Sequence, residues 1–176
     1  ISIPHLAAQA LAAKATRRES AHPGGIVAWR LWGQGKPLLL LHGSHGGWMH
    51  WLRNIEALAR DHLVIVPDMP GFGESDPPAD IESAAHHADL LAQGLRGLPD
   101  FAGPVDIVGF SLGALIGVNL AILAPELAAR LVLVDAGGLD TPFLAADLRS
   151  PKGLDGEAVR AVNRHNLGAM MLHDPA

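Results

Sequence analysis

Cysteine is absent from the 176 residues. That excludes disulfides, thiol nucleophiles and thiolate metal sites, and it fits a reducing cytoplasm. Charge is scarce too: 18% of residues are Asp, Glu, Lys or Arg, against 49% hydrophobic. The net charge of −5 comes with no basic cluster, so neither nucleic acid nor an anionic membrane is an expected partner. No run approaches the ~18 apolar residues of a membrane-spanning helix. Residues 1–15 lack the basic start and apolar core of a secretory signal, and the chain opens on Ile1 rather than Met. What remains is a neutral-to-acidic, apolar-rich chain, long enough for one domain with a real core.

The apolar residues come in short runs separated by helical patterns. Leu38–Leu41, Leu63–Val66, Val105–Val108 and Leu131–Val134 read as strands buried on both faces of a parallel sheet. Ile3–Ala15, Met49–Arg60, Ile81–Leu98 and Leu112 to about Leu123 read as helices. Arg17–Ala21 and Ile26–Trp32, either side of His22-Pro23-Gly24-Gly25, read as a hairpin. The alternation predicts an α/β domain with a mostly parallel sheet and right-handed crossovers. Beyond Gly137-Gly138 the pattern changes: 139–155 are irregular, then Gly156–Leu172 reads as a helix ended by His173-Asp174-Pro175.

One stretch organises the rest. Val105-Asp106-Ile107-Val108 runs into Gly109-Phe110-Ser111-Leu112-Gly113 and straight on into a helix. A serine on such a turn has a strained backbone and a hydroxyl held clear of the sheet. Gly109 and Gly113 are expected where strand and helix backbones pass too close for side chains. Ser111 would sit at a helix N-terminus, where free N–H groups favour developing negative charge. With 20 Gly and 7 Ser, Gly-x-Ser-x-Gly arises by chance about 0.1 times in such a chain. The context therefore has to carry the reading.

That context is three motifs in order: His42-Gly43 after the first buried strand, Asp68-Met69-Pro70-Gly71-Phe72-Gly73-Glu74-Ser75 after the next, and Gly109–Gly113 after the third. Together they resemble the α/β-hydrolase fold, in the branch of meta-cleavage-product (C–C bond) hydrolases, cofactor-free haloperoxidase-like esterases and related carboxylesterases. The resemblance implies helices on both faces of the sheet, with residues 1–136 as the first part of the core and 137–176 as the start of a helical cap. It implies Ser111 as nucleophile, with the backbone N–H groups of Ser44 and Leu112 as oxyanion donors. His42, Gly43, Gly109 and Gly113 would support the turns, His42 by hydrogen bonding rather than as base. Its partner would be a small carbonyl substrate, without metal or other cofactor; the turn after Asp68 lacks Gly-x-Gly-x-x-Gly spacing.

Other residues take plainer roles. His45 and His50 flank the loop after His42. His86-His87 face different directions on a helix and make a poor metal pair. Asp68 is expected to hold the turn that follows it, with Gly71 and Gly73 permitting its backbone. Trp48 and Trp51 read as core and pocket wall, Met170 and Met171 as cap packing.

The resemblance also exposes a departure. The family triad runs Ser, then Asp or Glu, then His, and residue 176 falls inside the expected cap. Asp135 is a candidate acid; His165 and His173 could act as base only by folding onto Ser111. The expectation is therefore part of a longer hydrolase, or one completed by another chain, with Leu131–Val134 as a bare edge strand. The predicted activity is cleavage of an ester or of a C–C bond beside a ketone. Alternatives are a non-catalytic protein that binds a small ligand or partner, and a perhydrolase using the same serine.

Overall fold

The computed structural model describes residues 3–79, 83–139, 158 and 161–162. The chain divides into two compact units, Ile1–Gly138 and Leu139–Ala176. In the second, Ala158, Ala161 and Val162 are helical; most of the expected 156–172 helix, His165, His173, Met170 and Met171 lie outside the described residues.

The first unit opens with helix α1 (Ile3–Ala12), then strands β1 (Thr16–His22), β2 (Gly25–Trp32) and β3 (Lys36–Leu41). A 3₁₀ turn (Trp48–Trp51) and the single-turn helix α2 (Ile55–Leu58) lead to β4 (His62–Pro67). Next come α3 (Ala84–Arg96), β5 (Val105–Phe110), α4 (Leu112–Leu123), a 3₁₀ turn (Pro125–Leu127) and β6 (Ala128–Val134). The six strands form one sheet in the order β1-β2-β4-β3-β5-β6. The β1–β2 and β2–β4 pairings are antiparallel; β3–β4, β3–β5 and β5–β6 are parallel.

The apolar run of β3 is explained by its central place. Leu39 and Leu41 pack into the core shared with α3 and α4, whereas Leu38 and Leu40 pack with Ala8, Leu11, Ile55 and Trp48 on the opposite face. Alternating side chains thus meet two helical layers, and no polar face survives. Ser83 caps α3 by accepting the His86 N–H at 3.2 Å, so that helix begins later than its apolar pattern suggests.

The predicted helix Met49–Arg60 does not form as one piece. The chain turns through Arg53 and Asn54, both exposed, between the 3₁₀ turn and α2. Asn competes with the helical backbone and favours turns, and the break lets Trp48 and Ile55 each be buried. β6 starts three residues earlier than its apolar run. It pairs only with β5 among the described strands, and Val132, Leu133 and Val134 are 52%, 43% and 38% exposed. No helix among the described residues is long and apolar enough to cross a membrane.

Candidate active site

Ser111 stands between the end of β5 and the start of α4 with φ 54° and ψ −115°. A non-glycine residue pays for such a conformation with strain, so the surrounding contacts must over-determine it. They do so from both ends. The Ser111 N–H donates to Val134 O at 2.9 Å, and Ser111 O accepts from Gly137 N at 3.2 Å and Ala114 N at 3.0 Å.

The flanking glycines are sterically required. A Cβ on Gly109 would lie 2.4 Å from Gly113 O, and one on Gly113 would lie 2.3 Å from Leu41 O. That close approach sets the first turn of α4 against the end of β3, where the second half of the site begins. A Cβ on Gly43 would lie 2.9 Å from Phe110 Cδ1 and 3.3 Å from Ser111 Cβ. The loop after β3 therefore touches the serine turn directly.

His42 controls the geometry of that loop. It is fully buried; its Nε2 accepts the Met69 N–H at 2.9 Å, which leaves Nδ1–H to donate to Gly43 O at 2.7 Å. Gly43 C=O and Ser44 N–H share one trans peptide plane, so fixing the carbonyl aims the Ser44 N–H the opposite way. Burial holds the His42 pKa below its ordinary value, against the opposing pull of the Gly43 carbonyl and the Asp68 charge. With both nitrogens engaged, His42 is a scaffold. Neither the Ser44 nor the Leu112 N–H donates to a backbone carbonyl among the described residues.

Asp68 ties the two loops together. It is 1% exposed; Oδ1 accepts Trp48 N–H at 2.7 Å, and Oδ2 accepts Glu74 N–H and Arg30 Nη1–H, each at 3.1 Å. It thus holds the turn after β4, as expected, and also the loop after β3. Gly73, at φ 56°, lies so close that a Cβ would meet Asp68 Cγ at 2.4 Å. Arg30, missed in the sequence, is the buried counter-charge on β2. It also pairs with Glu74 and stacks 5.2 Å from the Trp48 ring centroid. A lone Arg in the otherwise apolar run Ile26–Trp32 was the available signal.

His50 was likewise underestimated: its Nδ1 accepts the Gly43 N–H at 3.2 Å. His50, Trp51, Phe110 and Val134 line a cavity of about 300 Å³, bounded by the residue before Ser111 and the one that accepts its N–H. Trp48 is core and Trp51 a cavity wall.

The remaining candidates are not brought together. Asp135 is exposed, at φ 44°. The described histidine side chains bond to Pro23, Gly43, Met69, Leu58 and Ser83, so among the described residues none bonds to Ser111 or Asp135. His87 is buried with Nδ1 facing Ser83 O. Among the described residues no three His, Asp or Glu side chains gather as a metal site.

Comparison with known proteins bears on the fold and the family. The model of the alpha/beta hydrolase fold family matches residues 36–164. The chain is 39% identical over 116 residues to 2-hydroxymuconate semialdehyde hydrolase of Pseudomonas sp. (strain CF600), covering 63% of this chain and 40% of that protein. It is 36% identical over 107 residues to pimeloyl-[acyl-carrier protein] methyl ester esterase of Vibrio parahaemolyticus, covering 60% of this chain and 39% of that protein. A thermophilic esterase from Thermogutta terrifontis superposes with a TM-score of 0.62 at 31% identity, over 73% of this chain and 48% of that one. The chain thus spans less than half the length of each of these three proteins.

Proposed function

Because the chain belongs to the alpha/beta hydrolase fold family, we propose that it carries the nucleophile and oxyanion elements of a serine hydrolase acting on a small carbonyl compound. The bond cleaved is an ester or a C–C bond next to a ketone. Ser111 Oγ attacks the carbonyl carbon, and the oxygen that becomes negative is received by the N–H groups of Ser44 and Leu112. One such donor is worth about 3–4 kcal/mol of transition-state stabilisation.

The observation that carries this reading is the strained Ser111 at the α4 N-terminus, with the Gly43 loop packed against it. We read the strain and the glycine crowding as serving the presentation of the Ser111 hydroxyl at a helix N-terminus. Attack also needs a base for the serine proton, and none is hydrogen-bonded to Ser111 among the described residues. A second reading is a hydrolase-fold protein that binds a carbonyl ligand without turning it over. Residues 137–176, as the start of a cap, would then select the ligand in either case.

Turnover of a p-nitrophenyl ester and of a vinylogous ketone substrate separates the two. Hydrolysis of either that falls to the uncatalysed rate in Ser111→Ala supports the enzyme. Saturable binding of the ester without hydrolysis supports the binding protein, and hydrolysis unchanged in Ser111→Ala contradicts the assignment of Ser111.

A further inference from the structure

We propose that His50 is a positioning residue for the oxyanion loop, acting through the Gly43 N–H; this rests on the reading of Ser44 N–H as an oxyanion donor. Three contacts carry it. His50 Nδ1 accepts the Gly43 N–H at 3.2 Å. The ring lies so close over the loop that a Cβ on Gly46 would fall 2.1 Å from its Cε1 and Nε2. Its other neighbours are rings at the site: edge-to-face contacts with His42 at 6.0 Å and with Phe110, which precedes Ser111, at 5.9 Å.

The loop from Gly43 to Gly46 thus wraps around one imidazole. Gly43 is gripped on both sides, its C=O by His42 Nδ1–H and its N–H by His50 Nδ1. His42 fixes the peptide plane that bears the Ser44 N–H, and His50 fixes the plane before it. With both planes held, the Ser44 N–H has one direction; with the second released, glycine's freedom at residue 43 lets the first plane rotate. Sequence separation hid the pair: donor and acceptor are seven positions apart in the chain.

The grip requires an unprotonated Nδ1, since a protonated ring has only donors. Burial lowers the His50 pKa from its ordinary value, so the grip holds at neutral pH and opens as pH falls through the depressed value. The titratable groups facing the ring are His42 across the loop and His45, Asp68 and Glu74 around the cavity they share with it. Asp68 and Glu74 are themselves paired with Arg30, which limits their pull on His50.

The test uses the whole chain and three forms: unsubstituted, His50→Ala, and His50→Asn, whose Oδ1 can take the place of Nδ1 without titrating. The Gly43 amide is followed by ¹H–¹⁵N NMR and hydrogen exchange from pH 8 to 5, and Ser111 labelling by a fluorophosphonate is timed at pH 8. The proposal expects a protected, downfield Gly43 N–H that shifts and loses protection as His50 titrates. It expects a pH-independent, protected amide in His50→Asn, and an unprotected one at every pH in His50→Ala. A Gly43 amide that titrates in His50→Asn as it does in the unsubstituted chain overturns the assignment of that titration to His50. Labelling is expected to slow about 10- to 100-fold in His50→Ala and to recover in His50→Asn. A Gly43 amide that behaves in His50→Ala as in the unsubstituted chain overturns the proposal. Absence of labelling in the unsubstituted chain would count against the serine-hydrolase reading, and the amide result would still decide the role of His50.

Discussion

His42 and Arg30 show how single buried polar residues set this site. Replacing His42 by Ala leaves the Met69 N–H and the Gly43 carbonyl without partners in a dry setting, at a cost of about 2–4 kcal/mol; urea unfolding would read it as a lower midpoint. Replacing Arg30 by Met strands the Asp68 carboxylate, which is 1% exposed, and should cost about 3–5 kcal/mol. Arg30→Met unfolding at an unchanged midpoint would mean that the loops are held some other way. The pH dependence has a definite sign. His42 and His50 have folded pKa values below the ordinary 6.5, so as pH falls the unfolded chain takes up their protons first. Stability is therefore complete above about 6.5 and declines as pH falls from there through the depressed folded values. Thermal midpoints at pH 8, 6.5 and 5 check this, and His42→Ala should flatten the slope.

At the scale of elements, the close crossing of β3, β5 and α4 is what the glycines buy. Gly113→Ala would push a methyl into Leu41 O at 2.3 Å. Since that neighbour is backbone, the cost is set by moving a strand or helix, about 3 kcal/mol or more. Gly97, by contrast, ends α3 at φ −85°, and its Cβ would meet Gly94 O at 3.4 Å and Gln93 O at 3.8 Å, both ordinary contacts. Gly97→Ala should be neutral or gain up to about 1 kcal/mol by restricting the unfolded chain. Equal losses from the two variants in differential scanning calorimetry would refute this steric account. The same elements show what was legible beforehand. Strands β3 to β5 and helix α4 announced themselves because each apolar run is bounded by Gly, Pro or Asp and packs into the core, and β6 by its apolar run alone, although Val132, Leu133 and Val134 are exposed. The Ser111 turn was legible because strand, Gly-x-Ser-x-Gly and helix are contiguous. Met49–Arg60 misled because its apolar spacing serves two short turns meeting the sheet at separate points. The Arg30–Asp68 pair and the His50–Gly43 bond were invisible for a different reason. Partners distant along the chain, or on opposite sides of a loop, leave no local periodicity to read.

For the molecule as a whole, the sheet is sheltered unevenly. β3 is buried between two helical layers, whereas β6 exposes Val132, Leu133 and Val134 and pairs on one side only among the described strands. Exposed apolar edge strands template association. Val132→Lys should therefore reduce concentration-dependent light scattering of the purified chain without lowering its unfolding midpoint. Scattering unchanged by the substitution would place the sticky surface elsewhere. The molecule also couples two functions of one sheet end: the loops after β3 and β4 are joined by Asp68, and the loop after β3 is joined to the Ser111 turn by Gly43. Damage to Arg30 should then reach Ser111 reactivity as well as stability.

The most direct measurement is the intact mass of the 18.5 kDa chain before and after a fluorophosphonate, with Ser111→Ala alongside. A nucleophilic Ser111 predicts one phosphonyl adduct, carried on the peptide containing residue 111 and absent from Ser111→Ala. An adduct that persists in Ser111→Ala, or no adduct on a folded chain, would contradict the claim that this serine is built to attack.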